Sequence, residues 1–138
     1  MNDNIFSVVA NGNADAERLC RLFCARCHLW DDVEDKDKPV TDDRIVHIET
    51  QWTLEMTGNQ FWLAHRSTLG PLMVLGMVAW RDANRLGKSA DLKDQIAADV
   101  LKAKYHDVLW ATALLTGGVK KLMEITSEFR EFDFEERH

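Results

Sequence analysis

Five carboxylates crowd into seven positions of the run WDDVEDKD: Asp31, Asp32, Glu34, Asp35 and Asp37. Acids this dense either hold a hard cation through oxygen ligands or solvate a wet helix end. Rotation of about 100° per residue puts Asp31 and Asp35 almost in line with Cys24 and Cys27, on the inward face of a helix that continues through residue 35. Asp32 falls to one side, near His28. Two carboxylates four residues apart on an inward face repel one another unless one is protonated or a cation lies between them. The cation suited to oxygen ligands alone is magnesium, with manganese behind it. Magnesium keeps waters and completes its shell with substrate phosphate, so the expected chemistry is that of a phosphorylated ligand.

A metal needs further ligands from a facing helix. In PLMVLGMVAWRDANRL the residues Leu75, Val78, Ala79, Asp82 and Leu86 share a stripe, making Asp82 the first candidate. Its alternative is an ion pair with Arg81 or Arg85 at the helix edge. Tyr105, His106 and Asp107 form a polar cluster inside an otherwise apolar run and are candidate ligand-binding residues. His106 and Asp107, being adjacent, point about 100° apart and do not easily face one metal. Asp107 also stands three residues from Lys104, the spacing of a surface pair. Tyr105 reads as core, with its hydroxyl at a boundary.

Cys20, Cys24 and Cys27 have the CxxxCxxC spacing that resembles the iron-sulfur motif of radical S-adenosylmethionine enzymes. Here the spacing lies within the strongly helical ADAERLCRLFCARCHLW, where the three thiols share a face with Leu19, Phe23 and Trp30. Small hydrophobes on a buried helix face account for it.

The elements that must position these groups are all helical, since no alternating β-branched run is long enough for a strand. A first helix runs from Asn13 or Asp15, either a suitable cap, to about Asp35, where KDKPVT ends it. Thr41 caps a second helix that Gly58 closes, with Ile45, Ile48, Trp52 and Glu55 or Met56 on its inward stripe. A short helix NQFWLAHRS precedes another from about Pro71 to Leu86, proline being suited to a first turn. The uncharged run Ser67 to Trp80, 14 residues long, is expected to be the buried centre, well short of the roughly 20 residues that span a bilayer. Ser89 opens the longest helix, Gly117 and Gly118 stop or turn it, and a last helix runs from Val119 to about Phe132.

The expectation is a single all-α domain over 1–138, a bundle of five or six helices, with 1–12 and 133–138 frayed. The apolar fraction of 46% in a chain of 138 residues is enough for a core. A net charge of -6 argues against a broad nucleic-acid surface. The N-terminal stretch lacks the pattern of a secretory signal, and three clustered thiols suit a reducing compartment, so a cytoplasmic protein without a membrane partner is expected.

The run at Asp31, Asp32, Glu34 and Asp35 resembles the first aspartate-rich motif, DDxxD, of isoprenoid diphosphate synthases. That resemblance implies a small version of their all-helical fold, with magnesium held by Asp31, Asp35, Asp32 and, in the role of the second motif, Asp82 or Asp107. The wider pattern, WDDVEDKDKPVTDD followed by a tryptophan-bearing helix and YHDVLWATALLTGG, is similar to small uncharacterised helical proteins of phages and prophages over residues 19 to 125. It implies the same miniature fold and no established activity; the favoured reading is an interaction or structural protein of phage type, its five tryptophans and apolar middle helix serving the core and a self-association face, with a homo-oligomer or a phage or host protein as partner. The alternative is magnesium-dependent binding or turnover of a diphosphate ligand. Against the all-helical nucleotide pyrophosphohydrolases the nearest echo is DLKD at Asp91 to Asp94, which reads as a helix first turn.

Overall fold

The computed structural model describes residues 4–36 and 39–137, with side chains through residue 130. Every regular element among them is helical: α1 (Asn4–Ala10), α2 (Ala14–Asp35), α3 (Asp42–Gly58), α4 (Gln60–Leu86), α5 (Leu92–Lys102), a 3-10 turn (Ala103–Tyr105) and α6 (His106–Arg137). The chain is an all-α bundle, as its periodicity predicts. No helix among the described residues is long and apolar enough to cross a membrane.

Helix starts follow their caps. Asn13 Oδ1 accepts from the Ala16 amide at 3.0 Å, Thr41 Oγ1 from Arg44 at 3.1 Å, and Asp91 Oδ1 from Lys93 at 2.9 Å. Each satisfies one of the amide donors a first turn leaves orphaned. α2 stops where Lys36 turns left-handed at φ 58°. Asn59 does more than cap. Its side chain accepts from the Trp62 amide at 2.8 Å to start α4, and donates to the Asp15 carbonyl at 2.8 Å and to Glu55 Oε2 at 3.0 Å. One buried amide therefore joins the end of α3, the start of α4 and the first turn of α2.

α2 is the central element and has two buried faces. Leu19 and Phe23 pack with Trp52 of α3, with Phe61, Trp62, Leu69 and Met73 of α4, and with Val108 of α6. Cys20 and Cys24 face the other way, into a cluster of Ile5, Phe6 and Val9 of α1 with Leu109, Trp110, Ala113 and Ile125 of α6. The thiols serve as core filler there. The Cys20 thiol contacts Thr112 Oγ1 at 3.3 Å, and burial pushes its pKa up to about 11.

Five expectations need correction. Residues 4 to 10 of the N-terminus expected to fray form α1, with Ile5 and Val9 fully buried. α4 is one helix through Pro71 rather than two, because the residue deprived of a hydrogen bond, Ser67, and Pro71 itself both lie on the exposed side, where water can serve the carbonyl. The central run is not a buried centre. It turns Leu69, Met73, Gly76 and Ala79 inward and leaves Val74, Leu75, Met77 and Val78 exposed, so the stripe containing Leu75, Val78 and Asp82 is an outer one. The long helix expected from Ser89 is broken by the 3-10 turn, which separates α5 from α6. At the far end α6 continues through Arg137, across the tail expected to fray, and residue 138 lies outside the described residues. The glycine pair acts as the sequence suggests: within α6, Gly118 adopts φ 84°, ψ 178°, a conformation essentially reserved for glycine.

Candidate functional site

Between α2, α4 and the α5 to 3-10 corner lies a cavity of about 690 Å³. It falls within the few hundred to about 1,000 Å³ typical of small-ligand sites. Helix α2 contributes Cys27, His28, Trp30 and Asp31; α4 contributes Gly76, Met77, Trp80 and Arg81; the corner contributes Asp99, Lys102, Ala103, Tyr105 and His106.

Beside the cavity α4 presents small residues inward at Gly76, Ala79 and Ala83, and α5 presents Ala98, so the elements approach closely. At Gly76 the backbones of α4 and the 3-10 turn come so close that a Cβ would stand 3.3 Å from the Tyr105 Cα. That contact pins the 3-10 turn against α4 and sets the rings of Tyr105 and His106 on the wall. The His106 ring lies 4.3 Å from Tyr105 and 6.0 Å from Trp110, centroid to centroid, and Tyr105 meets His28 edge-on at 6.3 Å.

The predicted site residues separate in this frame. Asp31 is half-buried on the cavity wall and accepts a long hydrogen bond, 3.4 Å, from the Trp80 indole N–H. Asp35 is exposed rather than inward, at the last residue of α2 before Lys36 turns the chain left-handed. The two carboxyls still interact. Partial desolvation, then the Asp31 charge and a hydrogen bond between the two, hold the Asp35 pKa above the ordinary 3.8, with Lys102 opposing. Asp32 is bound by Arg44 of α3 at 2.9 Å, and Asp82 by Arg81 at 3.0 Å and Arg85 at 3.7 Å. Among the described residues no three His, Cys, Asp or Glu side chains come together as a metal-ligand set. The four carboxylates named for magnesium are thus not brought into one shell. Of the second cluster, Tyr105 and His106 reach the cavity, whereas Asp107 pairs with Lys104 at 2.9 Å.

Trp30, Met77, Trp80 and Lys102 complete the wall without a signal in the sequence that marks them as site residues. Trp30 reads as core by periodicity, yet it is 44% exposed and its place inside is taken by Leu29. Cys27 also touches the cavity, with its pKa pushed up to about 12, mainly by burial. A thiol so disfavoured as thiolate is a poor nucleophile or metal ligand.

Comparison of the chain with protein-family models, curated proteins and solved structures finds no match.

Proposed function

We propose that this protein binds a small amphipathic organic ligand in the α2/α4/α5 cavity. The observation that carries the reading is the composition of the wall. Trp30, Met77, Trp80 and Tyr105 offer apolar and aromatic surface, while Asp31, Asp99, Arg81 and Lys102 supply charge. An apolar recess with a few converging polar groups is the usual form of a ligand site. Nothing in this reading requires turnover.

The test is thermal unfolding with three probes sharing one bicyclic ring: neutral naphthalenemethanol, cationic naphthylmethyl-trimethylammonium, and anionic naphthyl phosphate with and without magnesium. At least one is expected to raise Tm, by about 8 °C at a concentration near 100 times its Kd, corresponding to roughly 2.7 kcal/mol. Met77→Trp, at the exposed edge of the wall, should block the recess and remove the rise without lowering the Tm of the free protein. No rise with any probe would sink the reading. A rise with naphthyl phosphate that depends on magnesium would instead favour the diphosphate site implied by the aspartate-rich run.

A second reading, an interaction protein that self-associates or docks a phage or host protein, is favoured by a separate observation. Val74, Leu75 and Val78 on α4, and Leu92, Ile96 and Val100 on α5, all stand outward.

A further inference from the structure

Resting on the reading of the cavity as a ligand site, we infer that its ligand is an organic cation, an ammonium on an aromatic or alkyl body, seated against the indoles of Trp30 and Trp80 beside Asp31. Three observations point the same way. First, two indoles and a phenol from three different elements line one recess, and aromatic faces attract cations through the ring quadrupole, tryptophan most strongly. Second, the Trp80 N–H donates to the Asp31 carboxylate at 3.4 Å. This orients the indole edge toward the acid and increases electron density on the ring, so the acid and the ring present one joint negative surface. Third, both wall cations have carboxylates beyond the wall. Arg81 is held by Asp82 at 3.0 Å, and Lys102 is close enough to Asp35 to oppose its raised pKa. Asp35, four residues on, adds a further carboxylate at this end of α2, its pKa raised first by desolvation and then by the charge of Asp31.

The naphthyl probes decide the matter when their affinities are read individually by tryptophan fluorescence. The ammonium probe is expected to bind at least about tenfold more tightly than the neutral alcohol, given opposite charge and aromatic faces together. Asp31→Asn should reduce that preference, read as the ratio of the two affinities, to about threefold or less. Trp80→Leu, read by calorimetry, should weaken the ammonium more than the alcohol, and it serves if the Asp31 variant does not fold. Equal binding of ammonium and alcohol would overturn the cation assignment and leave the ligand site standing. Tighter binding of naphthyl phosphate would also overturn it, assigning the recess to Lys102 and Arg81. Failure of all three probes would remove the site itself.

Discussion

Asp35 shows what a carboxylate costs at the end of a helix. The folded protein holds its proton more tightly than the unfolded chain does, since desolvation and Asp31 both raise its pKa above 3.8. Its contribution therefore favours folding most fully below pH 3.8 and is lost as the pH rises through the raised value. Asp35→Asn should accordingly raise Tm at pH 7 and leave it unchanged at pH 3, which thermal denaturation at the two pH values would show. An unchanged or lower Tm at pH 7 would mean that the charge is not a liability. Spacing alone located Asp31 on the cavity side and paired it with Asp35, because a helical rotation of i to i+4 is geometry. Spacing could not show that Asp35 lies in solvent, since that depends on Lys36 turning the chain away and on which neighbours cover the last turn. Trp30 was misplaced for a related reason: a large apolar residue next to a buried leucine reads as core unless the shape of the partner helix is known. The cysteines were legible as packing because their spacing coincided with a continuous helix.

At the scale of elements, caps were the most readable feature. Thr41 and Asn13 open α3 and α2 where expected, while Asn59, which begins the expected helix NQFWLAHRS, gives no sign in the sequence of its bond to the Asp15 carbonyl. It is nevertheless the hinge of the bundle, only 1% exposed and bonded to three segments. Asn59→Ala removes the α4 cap and leaves the part-buried Asp15 carbonyl without that donor. The expected loss is about 2–3 kcal/mol in urea unfolding, with an unchanged m value. A loss under about 0.5 kcal/mol would show that backbone turns alone hold the α3 to α4 junction. Pro71 misled in the other direction, because proline marks a helix start more often than an exposed interior turn. The tripartite division at α5, the 3-10 turn and α6 was equally hidden. It comes from the close approach at Gly76, a tertiary contact that leaves no trace in local periodicity.

For the whole molecule, the all-helical class was legible from composition and period, but the direction in which the helices face was not. The second half of α4 and α5 turn small residues, Gly76, Ala79, Ala83 and Ala98, inward and large ones outward, inverting the usual arrangement. Val74, Leu75 and Val78 on α4, with Leu92, Ile96 and Val100 on α5, make an outward apolar set, the kind of surface that marks a protein contact. The protein is therefore expected to sediment as a dimer or larger at micromolar concentration. Val74→Glu with Val78→Glu should return it to a monomer with unchanged helicity, as exposed substitutions usually alter stability by less than about 0.5 kcal/mol. A monomeric wild type would refute the idea. The clasp between α1 and α6 carries a different consequence, for the order of events during synthesis. Ile5, Phe6 and Val9 meet Cys20 and Cys24 of the neighbouring α2, but the rest of their cover, around Leu109, Trp110 and Ile125, comes much later in the chain. Until α6 has been made this cluster is only half built, and in that interval chaperones would be engaged and premature release would seed aggregation.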